Sequence, residues 1–387
     1  MKKINADVFL NKFITIHYKG YSEQLGCVPL GKEVINEFKV GKKYVYAIEA
    51  SHPNGSALID IHSRLNSELL SLIPLNHSAK AFIPGNSYID FLEPHRNNFC
   101  FLRVDLKNFF HSISDDLLRD VFKTYFTDEK INDTSKQQVI DAFINLISLE
   151  VTDEFENKSF TNKFILPMGF KTSPAISNIV FRKLDFIIEE FCFKHKITYS
   201  RYADDMLFSS KAEVKIIYKP DFQKEIKYSS YLHSDGFINE LKILLKIDNF
   251  KINTKKTIKS LHTISLNGYT IQGSNFSDEI GTLRVSNKKT IVISKLIHKI
   301  KKGDSARSIM SSLFGFTPSS IKIPHTRGRD DFIKKYCKDQ INNKLNGYSS
   351  YLISLIKHHK VHHSFKHESI EKYESLIKEI KRIIPYN

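Results

Sequence analysis

Residues 199–210, YSRYADDMLFSS, constrain the fold more than any other stretch. Two short β-favouring runs flank a turn, and the turn carries two adjacent carboxylates, Asp204 and Asp205. An Asp-Asp pair taken alone is most often a solvated turn. The alternative is a multivalent cation shared between carboxylates, and that requires a further acidic group brought close by the fold.

The remaining chain supplies elements of mixed type. FLRVD at 101–105 is a short strand pattern that ends on Asp105. TSPAISNIVFRKLDFIIEEFCFKHK carries a Thr172/Ser173 cap, Pro174 at the helix start and a long apolar period, which predicts a helix. Residues 61–75 read as an amphipathic helix after a turn at SHPNGS. The stretch after the aspartate hairpin reads as polar, then helical, up to FKINTKKT, and HTISLNGYTIQG reads as a second hairpin. Residues 290–387 look mostly helical and basic. Strands and helices mix without regular βαβ alternation, so the expected class is α+β with a palm-like antiparallel layer.

Charge narrows the partner. The chain of 387 residues has 58 Lys+Arg against 42 Asp+Glu, a formal +16, and residues 288–387 hold 21 basic against 8 acidic residues. Such asymmetry favours a polyanion, nucleic acid above all, over an anionic membrane. Cys27, Cys100, Cys192 and Cys337 are far apart and form no C-x-x-C pair, which fits a reducing cytoplasm and gives no disulfide framework. No run approaches 18 apolar residues and no apolar leader follows the first lysines, so a soluble, cytoplasmic protein without membrane contact is expected. His358/His362 and His359/His363 have the i, i+4 spacing of a zinc pair. With no acidic or cysteine neighbour in sequence, a basic RNA-facing helix is the preferred reading.

Read in order, FLRVDLKNFFHSI, LPMGFKTSPAISN, YSRYADDMLFS, INTKKT and SLNGYTIQG resemble the successive motifs of reverse transcriptases, in the order and spacing of the bacterial retron and defence-associated branches. AKAFIPGNSYIDFLEPHR is similar to their fingers segment, and LNGYSSYLISLI at 345–356 to their thumb element. The resemblance implies a right-hand polymerase fold: fingers and an N-terminal extension over 1–100, a palm with an interleaved fingers segment over 101–275, and a helical basic thumb over 276–387. It implies that Asp105, Asp204 and Asp205 bind two Mg²⁺ ions, with Mn²⁺ as a substitute, and that Lys256 assists the pyrophosphate leaving group, with Lys255 as an adjacent competitor. Phe110 falls at the position of a steric gate against the ribose 2′-hydroxyl, one of Phe109 and Phe110 being core. Met168, Gly169 and Phe170 would face the incoming dNTP, Lys80 and Arg96 its triphosphate, and Asn267-Gly268 the primer end.

Departures from the family pattern are specific. Met168 stands where Gln is usual, and Phe170 where a small residue is usual. LEPHR keeps His95 without the retron Asn-Ala, and LNG replaces Val-Thr-Gly, which tilts the resemblance toward defence-associated relatives. The implied partners are a non-coding RNA template, a DNA product, dNTPs, and a separately encoded effector or second polymerase subunit; self-association stays open. Template-independent, protein-primed or RNA-synthesising activity, and a non-catalytic RNA-binding scaffold, remain as alternatives.

Overall fold

A computed structural model describes residues 2–14, 30–133, 136–218, 224–275, 279–317 and 329–386. Cys27 lies outside them; Cys100, Cys192 and Cys337 are buried free thiols. The chain divides into two compact units, residues 1–94 with 100–259, and residues 95–99 with 260–387. Both combine helices with antiparallel sheets, so the α+β class holds.

After short helical segments at Ala6–Phe9 and Leu10–Ile14, the first unit forms the antiparallel hairpin β1 (Ile35–Val40) and β2 (Lys43–Ile48). Helix α1 (Pro53–Glu68) follows. It begins where a turn was expected at SHPNGS: His52 is the N-cap, its Nδ1 accepting from the Asn54 N–H at 3.2 Å, and Pro53 occupies the first turn, where its missing donor costs nothing. After α2 (Tyr88–Leu92) comes β3 (Cys100–Asp105), the helices α3 (Asp115–Phe122) and α4 (Val139–Ile147), and the small pair β4 (Leu149–Val151) and β5 (Lys163–Ile165).

Helix α5 (Ser173–Lys194) is the predicted long helix, with Thr172 as N-cap and Pro174 in its first turn. Neither cap residue closes it in the expected way. Thr172 makes no side-chain cap bond, and the Ser173 hydroxyl instead donates to the Pro167 carbonyl at 2.6 Å, tying the helix to the preceding turn. Strands β6 (Thr198–Tyr202) and β7 (Asp205–Ser210) form the predicted hairpin. The next segment corrects the sequence reading: β8 (Glu213–Tyr218) and β9 (Lys224–Ser229) form a further hairpin before α6 (Asp235–Lys246). Its register places Val214 opposite Tyr228 and Ile216 opposite Ile226, so a period of two was present, with its apolar face left exposed.

The sheet that positions the site runs β10–β3–β7–β6, where β10 is Ile258–Leu261. β7 is buried along its whole length and β3 nearly so. The second unit holds β11 (Thr263–Leu266), β12 (Tyr269–Gln272) and β13 (Thr282–Val285) in one antiparallel sheet, then helices α7 (Asn287–Lys301), α8 (Ala306–Phe314), α9 (Arg329–His362) and α10 (His367–Ile383). No described helix is long and apolar enough to cross a membrane.

Burial of neutral histidine gives the first unit a pH dependence. His62 is fully buried, Nε2 lies 2.8 Å from the Leu146 carbonyl, and desolvation lowers its pKa to about 4. An unfolded histidine takes up a proton below about 6.5. Between those values the unfolded chain binds more protons, so stability falls as pH drops from 6.5 toward 4. A shift of that size amounts to roughly 3 kcal/mol. The urea midpoint of the wild type is expected to fall between pH 7 and pH 5, and His62→Gln, which keeps a donor and loses the titration, is expected to flatten that fall. An equal slope in the variant would reject the assignment.

Candidate active site

The aspartates meet because of sheet register. β3 and β7 pair antiparallel with Asp105 directly opposite Asp205, and Tyr202 pairs with Asp205 across the β6–β7 turn, leaving Ala203 and Asp204 at its tip. The Leu106 N–H donates to the Asp204 carbonyl at 2.9 Å, which stitches the turn to the end of β3. Like charges directly across an antiparallel pair repel, and each carboxylate has its own cation. Lys256 Nζ is 3.0 Å from Asp105 Oδ2. Lys43 Nζ is 3.5 Å from Asp204 Oδ2. Arg103 donates twice to Asp205 Oδ1, its Nε at 3.0 Å. Burial still pushes the Asp205 carboxyl above its usual value, against the pull of Arg103 and with help from its two acidic neighbours.

Lys256 arrives on a 3₁₀ turn, Thr254–Lys256, held by backbone bonds: the Asn253 N–H donates to the Asp105 carbonyl at 2.7 Å, and the Lys107 N–H to the Lys251 carbonyl at 2.8 Å. Asn253 also donates through Nδ2 to Asp105 Oδ1 at 3.1 Å. Lys256 is thus the motif lysine that reaches the cluster. Sequence reasoning missed Arg103, Asn253 and Lys43. Arg103 was findable, since it lies two residues before Asp105 and shares its face of the strand. Asn253 and Lys43 had no local signal.

Phe109 is buried, 3 % exposed, and Phe110 is half-buried, so the pair divides as expected into one core ring and one ring at the surface of the site. Asn108, at φ +52°, turns the chain there, and the Ser112 N–H closes on the Asn108 carbonyl at 2.8 Å. Phe110, Met168, Lys43, His111 and Asp204 line one cleft. Gly169 has φ +119°, and a Cβ there would come within 2.3 Å of the Tyr46 carbonyl oxygen, so only glycine fits. The Tyr46 N–H donates to the Met168 carbonyl at 2.7 Å, docking this turn on β2.

Three expected substrate residues stand elsewhere. Phe170, expected to add bulk beside Met168, is 2 % exposed with its ring 5.2 Å from His62; the reversal at Gly169 sends it into the core. Arg96, expected at the triphosphate, donates to the carbonyls of His362 and His363 at 2.9 and 3.1 Å, at the end of α9 in the second unit. A guanidinium there satisfies helix carbonyls and complements the dipole. Lys80 donates its backbone N–H to the Arg201 carbonyl at 2.8 Å and borders a separate apolar pocket with Phe82 and Ile83. Asn267 and Gly268, at φ +46° and +86°, form the two-residue turn between β11 and β12. The His358 and His362 rings lie against each other in α9, tilted by 30° with centroids 4.4 Å apart.

Asp105, 4 % exposed, and Asp204 at the turn tip carry hard oxygen donors on backbone joined by the β3–β7 register and the Leu106 bond. That set fits a divalent cation such as Mg²⁺ or Mn²⁺.

The model of the reverse transcriptase (RNA-dependent DNA polymerase) family matches residues 57–273, a span that contains Asp105, Asp204, Asp205, Asn253 and Lys256. The retron Ec83 reverse transcriptase of Escherichia coli is 34% identical over 137 residues, 35% of this chain and 40% of that protein. The retron Ec73 reverse transcriptase of E. coli is 28% identical over 249 residues, covering 62% and 68%. The retron Ec86 reverse transcriptase of E. coli is 26% identical over 203 residues, covering 52% and 49%. The matches to Ec83 and Ec86 thus span less than two thirds of those proteins. Among solved structures, a telomerase from Candida albicans superposes at a TM-score of 0.42 and 11% identity over 95% of this chain and 67% of that one, too distant to inform the site.

Proposed function

We propose that this chain, which belongs to the reverse transcriptase family, is an RNA-directed DNA polymerase of retron type that extends a primer with dNTPs. The observation that carries the proposal is the carboxylate cluster at the paired ends of β3 and β7 with Lys256 3.0 Å from Asp105. Divalent ions, when bound, would be held by Asp105 and Asp204 and would activate the primer 3′-hydroxyl and neutralise phosphate charge. Asp205, engaged by Arg103, supports the cluster from behind. Lys256 sits where a cation can offset charge on a departing pyrophosphate. Lys43, 56% exposed at the rim of the cleft, can trade Asp204 for the triphosphate of a bound nucleotide. Phe110 closes the cleft beneath the sugar.

Fingers, palm and thumb follow as the division of labour, the aspartate sheet being the palm and the basic α7–α10 region the thumb that tracks a template–primer backbone. A dedicated non-coding RNA as template, a separately encoded effector or second subunit, and a role in anti-phage defence complete the proposal. The test is primer extension by the purified protein with dNTPs or NTPs, with and without an RNA template. DNA product that requires RNA, is made from dNTPs and is abolished by EDTA is expected. Incorporation of NTPs alone, or equal synthesis without template, would overturn the assignment. Sequencing RNA that co-purifies with the chain tests the non-coding template directly.

A further inference from the structure

Beneath the aspartate turn lies an ion pair that none of the chemistry above uses. Arg201 on β6 and Asp185 on α5 are both completely buried. Arg201 donates Nε to Asp185 Oδ1 at 2.9 Å and Nη2 to Oδ2 at 2.7 Å, while the Tyr199 hydroxyl donates to Oδ1 at 2.8 Å. The guanidinium lies on the Phe181 ring, 4.6 Å from its centroid. Its remaining nitrogen, Nη1, donates to the carbonyl of Ala203 at 3.2 Å.

Ala203 is the residue at the tip of the catalytic hairpin before Asp204, and its φ is +57°. A side-chain-bearing residue in the left-handed region is strained and persists only where its surroundings over-determine it. The turn has no glycine to relieve that strain. A buried ion pair gives little stability over well-packed apolar residues of the same size. What apolar residues could not give is an N–H of fixed direction aimed at the strained carbonyl.

We propose that Arg201, oriented by Asp185, is a positioning residue that holds the Ala203–Asp204 turn in its strained form and so sets the place of the Asp204 carboxylate. It touches neither substrate nor metal and acts through the Ala203 carbonyl. The inference rests on the polymerase reading for its kinetic consequence, but metal binding by the carboxylates reports it independently.

The experiment compares Arg201→Lys, which keeps the charge but cannot chelate Asp185 and reach Ala203 together, with Arg201→Lys/Ala203→Gly, in which glycine removes the strain. Arg201→Lys is expected to lose about a hundredfold in kcat with the dNTP KM little changed. Mn²⁺ binding followed by electron paramagnetic resonance is expected to weaken about tenfold. The added glycine is expected to recover a large part of both. A third variant, Arg201→Met/Asp185→Leu/Tyr199→Phe, removes both charges together with the hydroxyl that donates to Asp185, so no side-chain donor is orphaned in the core. It is expected to keep the parental thermal midpoint and still show the kinetic and Mn²⁺ defects. Recovery of kcat and Mn²⁺ affinity in that apolar variant, or failure of Ala203→Gly to improve Arg201→Lys, would overturn the proposal. If the wild type makes no DNA, the polymerase reading falls, and the Mn²⁺ series still decides the role of Arg201.

Discussion

Replacing Asp204 with asparagine is expected to lower dNTP incorporation by about three orders of magnitude or more, with the fold and RNA affinity retained. The fold survives because what holds the turn is backbone: the Leu106 N–H on the Asp204 carbonyl and the β6–β7 register are untouched by the change. The side chain is engaged by Lys43 at 3.5 Å, a pair whose lysine is half exposed and contributes little to stability. Catalysis does not survive, because an amide offers one neutral oxygen where a hard cation requires an anionic one. A thousandfold loss corresponds to about 4 kcal/mol of transition-state stabilisation. Single-turnover extension of a primer on RNA measures it, with thermal denaturation and RNA binding as controls. Asp105→Asn is expected to behave alike. Asp205→Asn is expected to cost less, since its carboxylate is already committed to Arg103. Activity within tenfold of wild type in Asp204→Asn would remove the carboxylate cluster from the chemistry.

What the sequence made legible was whatever local pattern encodes. The Ala203–Asp204 turn was readable because β-favouring runs flank it, and β3 because a short strand pattern ends on Asp105. Lys256 was readable by its place in an ordered series of motifs. The misses among site residues share a physical origin, partners distant along the chain. The carbonyls that engage Arg96 lie 266 and 267 residues away, so nothing near LEPHR could announce a helix cap. The reversal at Gly169, fixed by its close approach to β2, decides that Met168 borders the cleft and Phe170 enters the core. In one dimension those two residues look equivalent. The β8–β9 hairpin was missed for a different reason: its lysines and exposed apolar face have the composition of a solvated stretch, and only the register reveals the period of two. The departures at Asn-Ala and Val-Thr-Gly pointed away from retrons, yet Ec83, Ec73 and Ec86 are retron enzymes. Those short signatures weigh less than the similarity spread across the matched stretches.

Substituting Phe110 with alanine is expected to cut the preference for dNTPs over NTPs about a hundredfold, through gain of NTP use more than loss of dNTP use. The ring is anchored rather than loose: Phe109 meets it at 5.4 Å between centroids and Phe82 at 6.3 Å, and the Asn108 turn fixes the backbone beneath it. A half-buried aromatic braced on two sides cannot swing aside to admit a hydroxyl without giving up those contacts. Steric discrimination by an apolar surface is worth about 1–3 kcal/mol, or some 10- to 200-fold, and truncation to a methyl group removes nearly all of it. Phe110→Tyr, which keeps the ring in place, is expected to retain the preference. Fold stability should fall only modestly in the alanine variant, because Phe109, not Phe110, fills the core beside Phe181 and Phe250. The ratio of kcat/KM for dCTP to that for CTP on one RNA template measures the effect. An unchanged ratio in Phe110→Ala would place the discriminating contact elsewhere in the cleft, with Met168 and His111, which line it beside the ring, as the next residues to exchange.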